Sequence, residues 1–180
     1  MDAALTGSSS QLLGGFVVGM LYAVIGVLSA IGSIVVFRRI FQGRWEQIFW
    51  SSFLVAIAAF YLSFAAYFGA QAKAWQTELV FVALILACAV CGLFYRPAIA
   101  FGFAMHGLWD IAHTLFGPSL FGLPTTEIPV GYGMLCLTFD LTVAGYLMMS
   151  DTAWDEPGKF DLYFWRNRAS FRKYGRHFLS

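Results

Sequence analysis

The stretch His106-Gly107-Leu108-Trp109-Asp110-Ile111-Ala112-His113 interrupts an apolar run from Pro97 to Phe116 that is long enough to cross a bilayer. On a helix, offsets of four, three and seven place His106, Asp110 and His113 on one face. Ionisable side chains inside a membrane are costly and face a protein interior or a wet cavity. One stripe carrying three of them therefore predicts a polar centre inside a helical bundle, and the rest of the chain is organised around that expectation.

Of the 180 residues, 59% are hydrophobic and 12% charged. A soluble domain carries about twice that charge. The apolar runs are long and unbroken, unlike the alternation of a transmembrane β-barrel. The fold class read from this pattern is all-α, a polytopic membrane bundle with five transmembrane helices near 12–37, 47–70, 77–95, 97–116 and 129–149. The first run opens Met1-Asp2-Ala3-Ala4 without a basic segment and reads as a retained helix. A net charge of +1 gives no reason to expect a nucleic-acid partner.

The distribution of basic residues predicts orientation. With five alternating spans, Arg38, Arg39, Arg44, Arg96, Lys159, Arg166, Arg168, Arg172, Lys173 and Arg176 fall on one side and only Lys73 on the other. The positive-inside rule puts the basic side in the cytoplasm, the N-terminus outside and the C-terminus inside, as in a bacterial inner membrane protein. Two parts follow: residues 1–150 as the transmembrane domain and 151–180 as a basic, aromatic cytoplasmic tail. In that tail Phe160, Phe164, Phe171, Tyr174 and Phe178 fit one face of an amphipathic helix on the anionic leaflet, or an arm for a partner protein.

Gly15, Gly19, Ala23, Gly26 and Ala30 line one stripe of the first span, suited either to self-association through Gly15 and Gly19 or to packing within the chain. Tyr95-Arg96-Pro97 predicts a tight hairpin, and Pro129 a helix start. The proline-rich loop between Gly117 and Pro129 is either a connector or a lid above the polar stripe. Cys88-Ala-Val-Cys91 has the spacing of a redox pair but lies in hydrocarbon, where small core residues are the simpler reading.

The fifth span runs back past the fourth. Tyr132, Cys136 and Asp140 recur at intervals of four, and a rise of about 1.5 Å per residue brings Asp140 level with His106 and Cys136 level with Asp110. His106, Asp110, His113 and Asp140 are thus the candidate ligands of a transition metal such as zinc, copper or iron. His106, Asp110 and Asp140 are equally candidates for acid–base catalysis on a small or lipidic molecule, in a pocket between the fourth and fifth spans that opens outward. Glu46 and Glu78 are placed at span ends. A tetrapyrrole on one histidine, with Gly102, Gly107 and Phe103 around it, is a further option. A structural His–Asp clasp in an accessory subunit of a larger respiratory or photosynthetic complex is a rival, and a small proton-coupled carrier a third. The rivals differ in what they require: an enzyme or metal site needs a ligand, whereas an accessory subunit predicts a polar stripe packed shut.

The same segment, with Ile128-Pro129 and the Cys136/Asp140 helix after it, resembles a group of uncharacterised small multipass bacterial membrane proteins carrying an H-G-x-W-D-x-x-H helix. The resemblance covers about residues 104–145. Many of those proteins have a second histidine directly after the last one, where this chain has Thr114.

Overall fold

A computed structural model of the protein describes residues 3–117, 119, 120 and 122–150, with side chains from residue 13 onward except that of Leu120. The expected tail lies outside the described residues. Five helices follow in order: α1 (Ala3–Ile40), α2 (Arg44–Tyr67), α3 (Ala72–Gly92), α4 (Arg96–Phe116) and α5 (Tyr132–Met149). Between α4 and α5, strands β1 (Ser119–Leu120) and β2 (Leu123–Pro124) pair antiparallel, Ser119 opposite Pro124, the one β ladder among the described residues of an otherwise all-α chain.

Four segments are long and apolar enough to cross a membrane: Leu13–Ile40, Arg44–Tyr67, Ala72–Gly92 and Tyr132–Met149. α4 has the length but not the composition, because its inner face carries the histidines and Asp110. The helix starts shift from their expected positions. α3 begins at Ala72 rather than near residue 77, which moves Glu78 from the expected span end to almost two turns inside a helix. Pro129 does not open α5. It sits in a turn whose carbonyl accepts the Tyr132 N–H (3.1 Å), and Gly131 precedes the helix in the left-handed region at φ 80°.

α4 packs along α5 and α3 and touches α2, while α1 lies outside and packs along α5. Small residues set these approaches. A Cβ on Gly26 would strike the Leu135 carbonyl and Thr138 of α5, and Thr138 Oγ1 donates to the Ala23 carbonyl (2.9 Å). The Ala23–Gly26–Ala30 part of the small-residue stripe is therefore spent within the chain. Among the described residues, a Cβ on Gly15 would meet nothing within 4 Å and one on Gly19 would meet only Met134.

One half of the interior is apolar: Trp50, Leu54, Ile99, Phe103, Val143 and Leu147 are all at most 1% exposed. The end beyond it is tied by polar contacts. Gln47 donates to the Gly92 carbonyl (2.5 Å), Tyr146 to Glu46, and Arg96 to Ser150. Outward-facing positions such as Leu28, Val80, Leu84 and Leu108 are apolar and exposed, a surface suited to lipid rather than water.

Candidate metal centre

The other half of the interior holds the ionisable residues, and side chains from α2, α4 and α5 meet there. His106 and Asp110 come from successive turns of α4 and Asp140 from α5. Two glycines allow this meeting. A Cβ on Gly107 would lie 3.1 Å from the Leu137 Cα and 3.1 Å from the Asp140 Cβ, and one on Gly133 would lie 2.5 Å from the Asp110 carbonyl oxygen. Backbone contact at both points presses Asp140 against His106.

His106 Nδ1 lies 2.7 Å from Asp140 Oδ2 and 3.1 Å from Asp110 Oδ2. A nitrogen facing two carboxylates carries a proton, and its one N–H is directed to Asp140. Asp110 Oδ2 then has no hydrogen-bond partner among the described residues, and neither does His106 Nε2. The other Asp110 oxygen accepts the Tyr61 hydroxyl. His106 and Asp110 have no exposed surface and Asp140 keeps 1%. One donor atom from each of the three lies within 4.8 Å of the others. An imidazole nitrogen and two carboxylate oxygens suit zinc, iron or manganese, and an ion held at Nδ1 would take the place of its proton. Cys136 lies beside Asp110 and Tyr132, and the Tyr132 ring meets Phe64 edge-on at 5.0 Å.

His113, expected in the same ligand set, belongs to a separate network. Its Nε2 is 3.0 Å from Glu78 Oε1, and its Nδ1 donates to the Trp109 carbonyl (2.9 Å). Both ring nitrogens are thus engaged away from the centre. Glu78 collects two further donors, Trp109 Nε1 at 3.2 Å and the Thr126 backbone N–H at 2.9 Å. The Tyr61 ring lies between the two networks, with centroids 5.2 Å from His113 and 5.6 Å from His106.

Two residues of this arrangement were not expected from the sequence. Tyr61 gave no signal, being one aromatic in an aromatic-rich span. Glu78 was visible as an acid but was assigned to the span end. The outward-opening pocket is also not what the structure holds at this point: the three ligand candidates are packed shut.

The fold and centre define a helical, apolar-surfaced membrane protein with a buried His/Asp group. The chain belongs to DUF6010, a family of unknown function, which it matches over residues 21–153. No curated protein and no solved structure matches it.

Proposed function

We propose that the protein is a membrane-embedded metal-binding protein whose centre is His106, Asp110 and Asp140, with Tyr61 orienting Asp110. The observation that carries this reading is the Asp110 Oδ2 atom, which is fully buried, 3.1 Å from His106 Nδ1 and within 4.8 Å of an Asp140 oxygen, yet receives no hydrogen bond of its own among the described residues. A buried carboxylate oxygen short of hydrogen bonds costs free energy that a cation would recover. A single ion also suits a sealed site, which has no room for an organic substrate beside the ligands. Elemental analysis of the detergent-purified protein is expected to find close to one transition-metal ion per chain, and Asp140→Asn is expected to lose most of it. A stable, folded preparation without metal would sink the reading.

The tight closure of the same centre favours a second reading, in which the His–Asp group clasps α4 to α5 in an accessory subunit of a larger membrane complex. That version is distinguished by a metal-free protein that co-purifies with partners.

We also propose that α4 crosses the membrane, giving five spans with the N-terminus outside and the C-terminus in the cytoplasm of a bacterial cell. Phe101, Leu108 and Leu115 support this, since they recur every seven residues as an exposed apolar stripe on the face of α4 opposite the centre. The ten-to-one division of Lys and Arg supplies the direction. Reporter fusions after residue 42 and after residue 95 should read cytoplasmic, and one after residue 70 should read external. A cytoplasmic signal at residue 70 would reverse the assignment.

A further inference from the structure

The centre has no surface of its own, so anything that binds there must travel through protein. Three directions are closed. Trp50, Leu54, Phe103 and Val143, each at most 1% exposed, fill the bundle toward the Arg96 end. Between α4 and α5 the backbones touch at Gly107 and Gly133, which leaves no lateral seam for a lipid tail. Between α2, α3 and α4, a Cβ on Gly102 would lie 2.5 Å from the Leu54 side chain and 3.0 Å from that of Cys88, so side chains fill that seam.

The fourth direction differs. At the end of the bundle where α2 turns into α3, a groove is lined by Gln71, Ala74, Pro124, Thr125, Thr126 and Glu127, together with the Phe68–Ala70 turn. It opens at the helix ends, where water is, rather than on the lipid-facing side. Its floor is Thr126, itself only 2% exposed, held down by the hydrogen bond from its N–H to Glu78. Glu78 stands one turn, about 6 Å, below Ala74 on the same face of α3. From Glu78 the polar groups continue through His113 and Tyr61 to Asp110 and His106.

We propose that the centre is loaded from water through this groove by a hydrated divalent cation, with Glu78 as the carboxylate that receives the ion when Thr126 lifts away. This rests on the metal-binding reading above and deepens it by assigning the route. Polar, carboxylate-bearing steps along the path would replace the hydration shell in stages.

The test uses the full chain in lipid nanodiscs, in a Cys88→Ser/Cys91→Ser background that leaves Cys136, partly exposed and beside Asp110, as the one thiol, so that its labelling is read as a change from the parent chain. Two rates are measured: reaction of Cys136 with a permanently charged, water-soluble methanethiosulfonate, followed by mass, and uptake of Co2+ by chelator-stripped protein, followed by visible absorbance. Thr126→Pro removes the N–H that holds the groove floor and is expected to speed both rates about ten-fold, as loss of a hydrogen bond to a charged group would. Glu78→Gln is expected to slow Co2+ uptake with the final stoichiometry unchanged, and it stands as an independent arm should Thr126→Pro fail to fold. Normal Co2+ stoichiometry, with uptake unaltered by either variant, would overturn the route alone and leave the centre standing. Faster labelling of Cys136 with no Co2+ bound by the parent protein would overturn the cation as ligand, and the metal reading with it.

Discussion

Glu78→Ala is expected to lower stability by about 3 kcal/mol, the lower end of the cost of breaking a buried pair, because separated helices in a membrane also find polar partners. The carboxylate is fully buried and is met from three directions: by His113 Nε2, the Trp109 Nε1–H and the Thr126 N–H. Truncation would leave an imidazole, an indole N–H and a backbone N–H unpaired in a space that excludes water. Those donors come from α4 and from the segment after β2, so the loss is shared between two joints of the bundle. Glu78→Gln keeps a carbonyl oxygen as acceptor and should retain most of the stability. Thermal unfolding in one detergent, followed by tryptophan fluorescence, compares the variants. Equal melting of Glu78→Ala and the parent chain would show that the network holds nothing together.

Gly133→Ala adds one methyl group and is expected to cost about as much, near 3 kcal/mol, the upper end of what overpacking imposes. The new Cβ would meet the Asp110 carbonyl oxygen at 2.5 Å and would overlap Thr114 Oγ1. The first of these is backbone, which has no rotamer to yield, so α4 and α5 must separate. That separation draws Asp140 away from His106, and metal content is expected to fall together with stability. Gly145→Ala on the same helix supplies the contrast. Among the described residues nothing would lie within 4 Å of the new Cβ there, and replacing glycine inside a helix is worth up to about 1 kcal/mol in its favour. Similar melting of the two variants would remove the glycine contact as the device that forms the centre.

The parts legible in the sequence are those fixed by spacing along a single helix. Long apolar runs located the helices, and the intervals of three and four put His106 and Asp110 on one face. The antiparallel return of α5 also placed Asp140 level with His106. What spacing does not contain is the rotation of each helix about its own axis. His106 and His113 share a stripe on α4, yet one turns to α5 and the other to α3. Nothing within α4 distinguishes them, because the choice is made by Asp140 and Glu78 on the neighbouring helices. Glu78 was misplaced for a related reason. α3 starts at Ala72, five residues before the expected span, and its first turns are too polar to extend the apolar run. Tyr61 was silent because an aromatic in an apolar span reads as packing until its hydroxyl finds Asp110.

The pairing of α1 with α5 has a consequence for how the protein is made. Ala23 and Thr138 are 115 residues apart, yet one accepts the other's hydroxyl hydrogen bond. A chain emerging from the ribosome presents α1 well before α5, so α1, although Phe37 already meets the Phe49 and Trp50 rings of α2, enters the lipid with its α5-facing stripe unmet. α5 also delivers Asp140. A nascent or truncated chain that lacks α5 therefore carries His106 and Asp110 without their third member and α1 without its α5 mate. Completion of the centre and capture of the waiting helix coincide in one late insertion event, which gives quality control a clear mark of an unfinished molecule: a stray first helix.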